Sequence, residues 1–302
     1  MQSHAHNRPE GPNRAEPVAF QSALLAPWKG PYGGVPAFDR VQVGEFLPAL
    51  DEVLPATLAE IEAIANNPEA PTFENTLVAL ERSGRALNRF RTYFGVWSGN
   101  RNSEEFSKVE QAAAPRFSEF SSQVIANSAL FARIAAVHAN QAGLDAEQRR
   151  LVHTYHTDFV HSGAQLAEPE KARLATINGR LASLYTAFGQ NVLADEEGYV
   201  LFLDGADMEG VPDWLRASCA QTAEAKGQPG RYAIANSRSS MDPFLTYSPR
   251  RDLREKVWST YYQRGGNGDA RDNHDLIAEI LRLRQERAQC LGYPNHAAWM
   301  LE

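Results

Sequence analysis

Several things are scarce in this chain, and each scarcity excludes something. Cysteine occurs twice in 302 residues, at Cys219 and Cys290. Two are too few for a disulfide framework, and neither has the C-x-x-C spacing of a redox or zinc motif. A reducing compartment, the cytoplasm, is the expected setting. Positive charge is not in excess either, since 30 Lys and Arg stand against 37 Asp and Glu, a net charge of −7. Nucleic acid requires a basic surface, and so does an anionic membrane, so neither is expected as a partner. No apolar run reaches the ~20 residues of a transmembrane helix. The most apolar stretch, 124–137, is interrupted by Asn127, Ser128 and Arg133. The opening residues MQSHAHNRPEGPNRAEP hold no apolar segment and do not read as a secretory signal.

Motifs that carry chemistry are scarce as well. There is no Gly-x-Ser-x-Gly elbow and no dinucleotide fingerprint. Gly33-Gly34 lacks the Lys-Ser/Thr of a phosphate loop. The eight histidines stand at 4, 6, 138, 153, 156, 161, 274 and 296, and none begins H-E-x-x-H. His4 and His6 fall in a polar stretch, 1–17, that reads as a disordered, solvated tail. His153, His156 and His161 fall on a predicted helix over 146–162, with Asp158 near in sequence. His153 and His156 could share a face. A hydrolytic zinc site would also need a third ligand and a general base, and the residues between them are Thr154 and Tyr155. They are therefore read as surface or groove histidines. Asp195-Glu196-Glu197 is read as a solvated helix end rather than a metal site. No catalytic or metal-binding residue is assigned, and no substrate-binding residue can be named.

What is abundant is helical periodicity. An arm over 18–38, rich in Gly and Pro, carries Trp28, Tyr32 and Phe38 and is expected to lie in a groove. Val43 to Ile64 place apolar residues at three- and four-residue spacing, and Asn66-Asn67-Pro68 stops that helix. Thr72 caps the next, predicted to run unbroken past Trp97, with Gly84 inside it for close packing. Ser103 caps a third, kinked at Pro115; further helices follow over 128–139, over 146–162 after Asp145, and over 168–195. The runs 199–204 and 231–235 read as strands around a helix over 212–226 that Gly227 closes. Asp242-Pro243 predicts an extended, turn-rich segment, and Ser248-Pro249 a helix start, with Leu253, Val257 and Tyr261 on one stripe. Asn273 caps the last long helix, and 295–302 begins another. No repeat period occurs, which disfavours a solenoid.

Four passages in this order resemble one family. They are GPYGGVPAFDRV at 30–41, PTFENTLVALERSG at 71–84, RDLREKVW at 251–258, and ILRLRQERAQC at 280–290 followed by Leu291-Gly292-Tyr293. Their wording is similar to the zinc metallopeptidases of the thimet oligopeptidase, neurolysin and oligopeptidase A family, its dipeptidyl carboxypeptidase branch above all. The resemblance runs from about Leu24 to Glu302. It implies a mainly α fold, the N-terminal half of a multi-helix neurolysin-like peptidase with a small β element. It divides the chain into a tail over 1–17, an arm over 18–38, a helical domain over 39–198, and a mixed segment over 199–302 that begins the catalytic region. In the family, zinc is held by the two His of H-E-x-x-H and a downstream Glu, and short peptides are the substrates. No position here matches those residues, so this chain alone is expected to hold no zinc and to be inactive. Tyr293, Trp299, Met300 and Leu301 would then lack cover and favour self-association. The alternative is a non-catalytic helical binding or scaffold module.

Overall fold

A computed structural model describes residues 22–30 and 34–302. The tail with His4 and His6, and Tyr32 of the arm, lie outside the described residues. Helix α1 (Phe46–Ala65) buries Phe46, Leu50, Val53, Leu54 and Ile61, the stripe its spacing predicts. Phe46 is the centre of an aromatic group. Its ring lies 5.7 Å from Phe90, 5.4 Å from Trp97 and 5.1 Å from Phe106. These residues come from α3 (Arg85–Asn100) and α4 (Glu104–Ala126). Ser103 caps α4 as expected, its Oγ accepting from the Phe106 amide at 3.1 Å. Helix α4 runs through Pro115 and meets α5 (Ser128–Ala139) at Asn127 with a bend of 55°. The arm lies on α3. Leu24 and Leu25 are fully buried, Arg89 donates to the Leu25 carbonyl at 2.8 Å, and the Ala37 amide donates to the Tyr93 hydroxyl at 2.7 Å. No single helix among the described residues is long and apolar enough to cross a membrane.

The helix predicted from Thr72 is not continuous. Thr72 and Asn75 do form a reciprocal cap, with bonds of 3.1 and 2.8 Å. The chain then makes a wide helical turn, Phe73–Val78, and a short α2 (Ala79–Arg82). It stops at Ser83-Gly84, where Gly84 has φ +66°. The Gly84 amide donates to the Glu60 carboxylate of α1 at 2.7 Å, and an added Cβ would come within 3.3 Å of Thr57 Cγ2. Glycine is there for a left-handed conformation as much as for close approach.

Helix α6 (Ala146–His161) pairs with α5, and α7 (Glu168–Gly198) runs along α4. Strands β1 (Val200–Leu203) and β2 (Tyr232–Ala235) pair antiparallel, Val200 opposite Ala235 and Leu203 opposite Tyr232. Between them comes α8 (Asp213–Ala225), and after them α9 (Arg238–Tyr247) and α10 (Arg251–Tyr262). Together they enclose Leu203, Met208, Leu215, Ile234 and Phe244. Helix α11 (His274–Cys290) packs Ile280 and Leu283 on Ile177, Leu181 and Leu184 of α7, and the short α12 (His296–Met300) follows.

Two expectations are corrected here. The segment predicted as extended before Ser248 is helix α9, and Pro243 sits inside it. Proline there removes a single bond, to the Ser239 carbonyl, while the helix buries Met241 and Phe244. Burial of each is worth about 1.5–3 kcal/mol, and the two together offset the ~3 kcal/mol that a proline inside a helix costs. Ser248 therefore ends α9, and α10 starts at Arg251 rather than Pro249. At α11, Asn273 occupies the cap position but its side chain is turned inward. It receives a bond from Asn191 at 2.9 Å and donates to the Phe188 carbonyl at 3.2 Å. Asp272 accepts from the His274 amide instead, at 2.8 Å.

Replacing Gly84 with alanine should cost about 1–2 kcal/mol, the strain of a left-handed alanine. Urea unfolding measures it; an unchanged midpoint would mean that the break does not require glycine.

Candidate functional site

The histidines come together differently from their spacing. His138, near the end of α5, stacks on His156 of α6 with ring centres 4.0 Å apart and planes 11° apart. His153 lies 6.2 Å from His138 on the exposed side, and Phe131 flanks His156 at 5.6 Å. Metal ligands present in-plane ring nitrogens to a common point. Face-to-face rings direct theirs side by side, so this group does not fit a zinc ion. No group of three His, Cys, Asp or Glu among the described residues is arranged to hold a metal. His138 was not legible as a partner, because it belongs to another helix and only packing brings it in. His161 is turned away toward α12. Its Nε2 donates to the Trp299 carbonyl at 2.7 Å, the two rings stack at 5.1 Å, and Trp299 Nε1 donates to the His161 carbonyl at 3.1 Å.

The acidic run in the last turn of α7 is the solvated end that the sequence suggested only at Glu197. The Asp195 side chain is 6% exposed. It accepts from the Gly265 amide at 2.8 Å, from Asn267 at 2.8 Å and from Arg271 at 3.1 Å. Burial by itself would raise its pKa. The three donors outweigh burial and hold the carboxyl below the usual Asp value. Its neighbour Glu196 pairs with Arg264. Asp195 and Glu196 thus brace the 263–273 loop, while Glu197 is exposed.

At the chain's end Tyr293 and Trp299 are half-buried rather than uncovered. Trp299 lies between His161 and the Arg287 guanidinium, which stands 4.4 Å from its ring, and Tyr293 meets His161 edge-on at 5.7 Å. Met300 and Leu301 are exposed, at 58% and 86%. Helices α6 and α11 thus supply part of the cover that the sequence could not locate.

Two outcomes test these assignments. Burial, then the neighbouring His138 and His153, lower the His156 pKa. As pH falls from the ordinary histidine value of about 6.5, the unfolded chain takes the proton first and stability is lost down to the lowered native pKa. His156→Gln should remove that part of the acid loss in urea midpoints taken across the window. Asp195→Ala leaves the Gly265 amide without an acceptor and should cost about 1–3 kcal/mol. Because the native Asp195 pKa is lowered, the gap to wild type should be full above about pH 4 and close as pH falls through the native value. Hydrogen exchange over 265–271 should quicken in the variant; unchanged exchange there would refute the brace.

Comparison with known proteins bears on what these elements belong to. Residues 244–302, from the end of α9 through α12, match Peptidase family M3. A dipeptidyl carboxypeptidase of Salmonella typhimurium is 36% identical over 269 residues, covering 88% of this chain and 40% of that protein. The dipeptidyl carboxypeptidase of Escherichia coli is 33% identical, covering 94% of this chain and 41% of its own length. An oligopeptidase A of Haemophilus influenzae is 29% identical, with 87% and 39% covered. The chain thus spans about two fifths of the length of these curated relatives. Its last residues thus match the family M3 pattern, and nearly all of its length is similar to dipeptidyl carboxypeptidases.

Proposed function

We propose that this chain is the helical front portion of a zinc-dependent oligopeptidase or peptidyl-dipeptidase acting on short peptides, and that these residues alone do not hydrolyse them. The observation that carries the reading is the 36% identity to a dipeptidyl carboxypeptidase along 88% of this chain. M3 peptidases are zinc metallopeptidases. Here the H-E-x-x-H motif is absent from the sequence, and the histidines that do meet are stacked. The zinc ligands and the general base are therefore assigned to residues outside these 302. A division at about Gly198 belongs to the same reading. One apolar cluster draws on residues 24–164 and another on 201–257, and α7 links the two regions. Cys219 is a core residue, its thiol pushed up to about 11 by burial, and takes no part in catalysis.

Release of C-terminal dipeptides from a blocked peptide tests the proposal. The chain alone, with zinc added, should release none. Mixed with the remaining part of the Salmonella typhimurium relative, it should give chelator-sensitive release. Zinc-dependent release by the chain alone would overturn the reading. Failure of the two parts to associate at all would favour a stand-alone binding module.

A further inference from the structure

Helices α4, α7 and α11 do not close on one another along their full length. A cleft of about 380 Å³ lies between them, capped by Trp299 of α12. Helix periodicity builds its walls. Ser118 and Ser122 are four apart on α4, beside Ser121. On α7, Lys171, Ala175, Asn178 and Ala182 follow one another at three- and four-residue spacing. Serine and alanine are too short to fill the space between packed helices, whose axes stand ~8–10 Å apart. The opening is within the range of small-molecule sites, ~300–1,000 Å³.

Two cations line it, and their situations differ. Lys171 has a side chain only 8% exposed, and its Nζ lies 3.1 Å from Glu168 and 3.4 Å from the Ala126 carbonyl. Its charge is already matched. Arg287 has no carboxylate partner among the described residues. The adjacent Glu286 is engaged by Arg173 and Arg282, and Glu279 by Arg180. The Arg287 guanidinium rests on Trp299, reaches Asn178 Oδ1 at a long 3.5 Å, and leaves its Nε buried with no acceptor. A fixed, planar guanidinium with no carboxylate partner suits a ligand carboxylate, which its two terminal nitrogens can engage through two parallel bonds.

We propose that this cleft binds a small organic monocarboxylate with an apolar body. The carboxylate sits on Arg287 with the α4 hydroxyls beside it, and the body lies against Leu174, Leu181 and Trp299. One unmatched cation and apolar side walls fit a single negative charge rather than the double charge of a phosphate. The site is formed wholly by side chains of this chain and stands whether or not the peptidase reading does.

Phenylbutyrate is a suitable probe, titrated into the full chain by calorimetry and followed by tryptophan fluorescence. Saturable one-to-one binding is expected, with phenylbutyramide weaker by at least about tenfold, as loss of a charge-assisted bond requires. Arg287→Met should weaken phenylbutyrate by a similar factor. Ala182→Leu fills the cleft without touching a charge and should abolish binding, which keeps the test decisive if the arginine variant folds poorly. Absence of saturable binding to the wild-type chain would overturn the proposal. So would equal affinity for the amide, undiminished binding by Ala182→Leu, or stronger competition by inorganic phosphate than by acetate.

Discussion

The join between α7 and the segment after residue 198 is centred on one buried carboxylate at the end of a long helix. Asp195 lies in the last turn of α7, where a negative charge meets the unfavourable end of the helix dipole. Burial adds a desolvation cost of several kcal/mol to that. The charge is tolerated because the Gly265 amide, Asn267 and Arg271 all donate to it. The main chain at the same residue is used too. The Asp195 carbonyl is among those left over at a helix end, and Asn236, just past β2, donates to it at 3.1 Å. A turn earlier Asn191 bonds Asn273, and Asn273 bonds the Phe188 carbonyl. The end of α7 thereby fixes the sheet, the 263–273 loop and the start of α11 at once.

Apolar contact and charge divide the work along the rest of α7. Ile177, Leu181 and Leu184 meet Ile280 and Leu283 of α11, each burial worth about 1.5–3 kcal/mol. Arg173 with Glu286 and Arg180 with Glu279 border that seam. Both pairs reach solvent, and such pairs contribute about 0–1 kcal/mol. The seam is held by its apolar residues, while the charges select which turn of one helix faces which turn of the other.

The passages that resemble the M3 peptidases act here through packing. In RDLREKVW, Leu253 and Val257 face the core around Phe244, and Arg254 donates to the Ser248 carbonyl at 2.6 Å, tying α10 to the end of α9. In Leu291-Gly292-Tyr293, Gly292 takes φ +85° and ends α11, which directs Tyr293 toward His161. In PTFENTLV, Thr72 and Asn75 form the cap and Leu77 is fully buried. A sequence likeness carried by such residues transmits a shape.

The sequence by itself determined most of the helices, most of their ends and the two strands. Stripes such as Val53 to Ile61, and caps such as Ser103 and Asp145, join residues three or four apart, so their geometry is set locally. It also determined that the H-E-x-x-H motif is absent, which is a matter of spelling. Tertiary structure alone decided the break at Gly84, the helix through Pro243, the stacking of His138 on His156 and the brace at Asp195. Each is fixed by a partner far along the chain: Glu60 for Gly84, at a separation of 24 residues, and Gly265 for Asp195, at 70. Local preference ranks conformations that differ by about 1 kcal/mol, or about 3 at a proline, where two burials act together. A buried side chain or an unmet buried donor is worth as much or more, so the distant contact prevails wherever the two disagree.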